Sequence, residues 1–142
     1  MGRILATGDT PAKRRNAHLR SCAEAVRRLA VHPSFDDEAR DLTAFLVLNL
    51  RGIWKTIDDS ADVWAERDYY KKSEALRETW RWTRHAADAL ERLLRMGAYE
   101  ALPTHLADLA TRLSDVRVTT LTRDADWWCG AYRALMKGTP DT

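Results

Sequence analysis

The chain has 142 residues, of which 45% are apolar and 31% charged, with only six glycines and four prolines. A chain of this length and mixture can bury a core of its own as one domain, which argues against a wholly disordered polymer. The formal net charge of +2 argues against a strongly basic, free-standing DNA-binding protein.

From the N-terminus, Ile4, Leu5 and Ala6 are the only apolar run before Thr10, shorter than the roughly 7–15 residues of a secretory core. Asp9, Thr10 and Pro11 read as a helix start, a polar cap followed by proline at the first helical position. Leu19, Cys22, Ala23, Val26, Leu29 and Ala30 recur at three-four spacing to about Val31, and form one apolar face. His32 then precedes Pro33, which stops the helix.

Ser34 is a candidate cap for a second helix, with Asp37 in the capping-box position. Asp36, Asp37, Glu38 and Asp41 suit a helix N-terminus. Leu42, Phe45, Leu46, Leu50, Ile53, Trp54, Ile57, Ala61 and Trp64 make its apolar face, and Gly52 is a mild internal weakness. The run Ala44 to Leu48, resumed at Leu50, is too short to span a bilayer. Residues 66–69 read as a turn capped by Asp68, with one continuous helix from Ser34 to Met96 as the alternative because the stretch holds no Gly or Pro.

The third helix is the most regular. Tyr69, Ser73, Leu76, Trp80, Thr83, Ala87, Leu90 and Leu94 form a heptad-like seam, with Trp82, Ala86, Ala89, Leu93 and Met96 beside it. So wide an apolar surface must meet at least two other helices. Gly97 ends the helix. A fourth helix uses Leu102, Leu106, Leu109, Leu113 and Val116, with Pro103 in its first turn; the β-branched stretch from Val116 to Thr122 reads as a loop. A last helix from about Asp124 carries Trp127, Trp128, Ala131, Leu135 and Met136, ended by Gly138 and Pro140. The expected fold is all-α, a four- or five-helix bundle in one domain over 1–142, with 1–10 and 138–142 as flexible ends.

Charge is segregated by helix. Residues 1–34 carry a net +5, 35–68 a net −5, 69–97 a net +3 and 98–142 a net −1. On a helical wheel Lys13, Arg14, Arg20, Arg27 and Arg28 fall on one side of the first helix, interrupted only by Glu24. Such a stripe suits a row of phosphates, since each cation releases a condensed counterion. The third helix adds Lys71, Lys72, Arg77, Arg81 and Arg84. Charge matching to another protein, or to the acidic second helix, accounts for the same stripe.

No catalytic constellation emerges. His18, His32, His85 and His105 form no metal-binding pair, and no glycine-rich loop or nucleophile elbow occurs. Cys22 and Cys129 form no C-x-x-C, and both read as small apolar helix residues; lack of a disulfide framework suits a soluble cytoplasmic protein. Asp37, Glu38 and Asp41, followed by Asp58, Asp59, Asp62 and Glu66, loosely resemble the paired carboxylates of the all-α magnesium-dependent nucleotide pyrophosphohydrolases. Both clusters fall on one helix, however, with Glu38 and Asp59 about 30 Å apart. The first cluster reads better as helix-start acids and the second as ion-pair partners. No cofactor or metal is expected.

Six tryptophans are unusual in so short a chain. Trp80 and Trp82 lie about 200° apart on a wheel, so they should not share a face. Trp127 and Trp128 also diverge, so at least one tryptophan should face solvent or a partner.

In size, helix count and charge layout, the chain resembles the small helical subunit of multi-subunit CRISPR effector complexes. The most suggestive stretch runs from Trp64 through Arg67, Tyr69, Tyr70, Lys71 and Lys72 to Trp80 and Trp82. The resemblance is one of architecture over the whole chain. It implies a non-enzymatic, RNA- or DNA-contacting subunit of an antiviral defence complex, with other protein subunits as partners. A homo-oligomeric scaffold without nucleic acid is the alternative.

Overall fold

The computed structural model describes residues 10–138, and among these there is no strand. Helix α1 spans Pro11–Val31. The Thr10 hydroxyl accepts from the Lys13 amide at 3.1 Å, and Pro11 takes the first helical position. At the other end His32 is extended, as the following proline requires.

Helix α2, Asp37–Glu66, starts later than a cap at Ser34 would give. Phe35 stacks on Tyr99 with ring centroids 4.2 Å apart, which holds residues 33–35 as a link. Asp36 is therefore the cap, accepting from the Ala39 amide at 3.0 Å. The break at 66–69 is real but is not capped by Asp68. Asp68 takes a left-handed conformation (φ 63°), a geometry that an aspartate tolerates but that is not the extended one of a cap.

Helix α3, Tyr70–Met96, ends at left-handed Gly97. A 3-10 turn at Tyr99–Ala101 leads into α4, Leu102–Arg112. The segment 113–124 has no helix, and α5, Ala125–Trp128, and α6, Ala131–Lys137, follow. The sequence pattern predicts one last helix where the structure has two. Gly130 sits at φ 83° and turns the chain, and Asp41 accepts from the amides of Gly130 and Tyr132, drawing the start of α6 onto α2.

Helices α1 to α4 form a bundle in which α2 touches both α1 and α3, while α4 closes the remaining side between them. Helix α6 and the short α5 cover α2 from outside. Leu42, Leu46, Leu50, Ile53 and Ile57 of α2 are at most 1% exposed and form the axis of the core. Each such side chain contributes about 1.5–3 kcal/mol of hydrophobic stabilisation. Of the two stripes expected on α3, Leu90, Leu93 and Leu94 are buried, whereas Met96 points to solvent. Gly52 permits a close approach. A Cβ there would lie 2.5 Å from the His18 ring, whose Nδ1 is 2.8 Å from Asn49 Oδ1.

The rings of Trp80 and Trp82 stack with centroids 6.3 Å apart and planes 26° from parallel. The wheel separation is overturned because long side chains lean along the helix and bridge neighbouring faces. Trp127 and Trp128 do diverge, one 53% exposed and the other 4%. Cys22 is buried, which pushes its thiol pKa up, but Cys129 is exposed at the end of α5. No helix among the described residues is long and apolar enough to cross a membrane. Of the predicted end segments, Thr10 and Gly138 are helix caps; residues 1–9 and 139–142 lie outside the described residues.

Candidate nucleic-acid interface

The basic stripe of α1 does not stand free. The segment 113–124 crosses it, and three of its arginines donate to backbone carbonyls of that segment. Arg20 bonds Arg117 O at 3.1 Å and also Thr120 O. Arg27 bonds Val118 O at 2.7 Å, and Arg28 bonds Arg123 O at 2.6 Å. The Arg28 guanidinium also lies over the Trp128 ring, 4.9 Å from its centroid. Lys13 stays exposed, and Arg14 lies 3.8 Å from Asp59.

Glu24, the one acid within the stripe, anchors this arrangement. Its side chain is 1% exposed. It accepts from the Thr122 amide at 2.6 Å, the Thr122 hydroxyl at 2.7 Å, the Arg123 amide at 2.8 Å and Arg20 Nε at 2.7 Å. Burial alone would raise its pKa. The Arg123 amide, Arg20 and the two Thr122 donors outweigh burial and hold it at about 2.

The crossing segment adds cations that wheel geometry on α1 could not reveal. Arg123 donates to Ser21 Oγ at 3.2 Å and lies 4.7 Å over the exposed Trp127 ring. Arg117 is exposed. Arg20, Arg27, Arg28, Arg117 and Arg123 thus gather where α1 meets the segment. Among the described residues, Glu24 is the sole carboxylate within ion-pair distance of any of the five. A carbonyl orients a guanidinium without cancelling its charge, so the cluster stays electropositive.

The predicted cations of α3 share no partner with this cluster. Arg77 bridges Asp58 at 3.2 Å and Asp62 at 2.9 Å, and Arg81 pairs with Glu78 at 2.9 Å. Lys72 sits over the rings of Trp64 and Tyr69. Lys71 and Arg84 are exposed.

The acidic residues of α2 other than Glu66 are held as ion-pair partners and caps. Asp58 and Asp62 face Arg77, Asp59 faces Lys55 and Arg14, and Asp41 caps α6. Among the described residues no group of three or more His, Cys, Asp or Glu is placed to hold a metal ion. Three further arginines tie helices together. Arg51 bonds Asp88 at 3.0 Å and Glu91 at 2.7 Å, and Arg95 links Glu91 to the carbonyls of Leu135 and Gly138. Arg15 donates to Thr56 and Ser60 and covers Trp80. No protein-family model, curated protein or solved structure matches the chain.

Proposed function

We propose that the protein is a non-catalytic helical subunit that lies against a nucleic-acid backbone within a larger assembly. The observation that carries this reading is the cluster of Arg20, Arg27, Arg28, Arg117 and Arg123, the first three oriented by carbonyls, and all opposed within ion-pair distance by Glu24 alone among the described residues. Five arginines gathered where α1 meets the crossing segment attract a row of phosphates. The exposed Trp127 beside Arg123 adds a surface on which a base can stack. Engagement of the α2 acids in ion pairs supports a binding role over magnesium-dependent hydrolysis.

Membership of an assembly rests on the modest net charge and on the architectural resemblance to the small subunit of CRISPR effector complexes. The test is binding to single- and double-stranded oligonucleotides across a salt series. Arg27→Glu with Arg117→Glu should weaken binding at least tenfold and lower the salt slope by about 2, with helicity unchanged. Equal binding by wild type and double variant, or no binding by wild type at low salt, refutes the reading.

A further inference from the structure

Two apolar surfaces lie at opposite ends of the bundle. The first is a groove of about 540 Å³ between the end of α1, the link to α2 and the start of α4. Val26, Leu29, Phe35, Tyr99, Leu102 and Leu106 form its floor, and Ala107 and Ala110 line its open side. Of its fourteen lining residues none is Asp, Glu, Lys or Arg, in a chain that is 31% charged.

The second is the turn between α2 and α3. Val63 is 47% exposed, Tyr69 50% and Tyr70 63%, an unusual grouping for a solvated helix end. The 30 residues of α2 separate the two surfaces. At 1.5 Å per residue that is about 45 Å, so they cannot meet within one chain.

Their charges are complementary. The chain beside the groove carries exposed Asp36, Asp37, Glu38 and Glu100, against the exposed Arg27 and the half-buried Arg40 that pairs with Asp37. The turn carries exposed Arg67, Lys71 and Lys72 close to its tyrosines, against Glu66 and Asp68, while the exposed Asp62 beside Val63 is paired with Arg77. A projecting apolar turn with excess positive charge fits an apolar groove with an acidic rim.

We propose that the α2–α3 turn of one copy docks in the α1–α4 groove of a second copy, giving head-to-tail self-association. Such an interface joins two different patches, so each copy added leaves one groove and one turn free. The product is an open series and not a closed dimer. The contact is partly electrostatic, so added salt weakens it.

The test uses two variants, Tyr70→Glu at the turn and Ala107→Arg in the groove, both at exposed positions, with helicity checked by circular dichroism. Sedimentation should show the wild-type mean mass rising with concentration without a plateau at two copies. Each variant alone should remain monomeric. An equimolar mixture should form a dimer of one copy of each and nothing larger, because one intact turn and one intact groove remain. A wild type that stays monomeric, a wild type that stops at a dimer, or a mixture that fails to associate overturns the proposal.

Discussion

Replacing Glu24 by glutamine keeps the shape of the side chain and removes its charge. The magnitude can be worked in two ways. Structurally, one partner is taken from a buried ion pair that also receives two backbone amides, a loss of about 3–5 kcal/mol. By titration, the carboxyl pKa moves from 4.5 in the unfolded chain to about 2 in the fold, worth about 3 kcal/mol at about 1.4 kcal/mol per pH unit. The folded pKa is the lower one. The stabilisation is therefore complete above pH 4.5 and is lost as pH falls from there to about 2. Glu24→Gln should lower the thermal midpoint near neutral pH by about 10 °C. Urea unfolding of wild type and variant across that pH range should show the two stabilities converging. A difference that is the same at neutral pH and at the acid end, or one below about 0.5 kcal/mol at neutral pH, refutes the assignment of Glu24 as the anchor of the crossing segment.

Gly52→Ala places a Cβ 2.5 Å from the His18 ring; urea unfolding should show a net loss of about 1–2 kcal/mol despite the better helix propensity of alanine, and His18→Ala in the same chain should restore most of it. Asp41→Ala removes the acceptor of the Gly130 and Tyr132 amides; it should cost about 1 kcal/mol and speed hydrogen exchange in α6 before α1. Arg51→Ala leaves Asp88 without its cation and the buried Glu91 without one of its two; a loss of about 2–4 kcal/mol is expected from the unfolding midpoint, with Arg95 still holding Glu91.

The helices were legible because their signals are local. Thr10 and Pro11, His32 before Pro33, and Gly97 each mark an end through the geometry of one or two residues. The start of α2 was misplaced because Phe35 stacking on Tyr99, a contact across 64 positions, fixes the link. The split of the last helix depends on Asp41, more remote still at 91 positions. The basic stripe of α1 was visible, but its covering was not, since backbone carbonyls of residues 117–123 leave no trace in side-chain periodicity. One hint existed: Glu24, the lone acid among cations, proved to be the residue around which the arrangement is built.

The contacts across α1 also bear on the order in which the molecule assembles. Helices α1, α2 and α3 follow one another and pair as hairpins, whereas Arg20 and Thr120 are separated by 100 positions. Contacts between near neighbours close small loops and form first; those joining distant parts of the chain form late. On a ribosome, the outer face of α1 stays uncovered until residues 117–123 have emerged. The expected sequence is a helical hairpin core that condenses early, with the crossing segment laid down as the closing event and the first to lift when the protein unfolds.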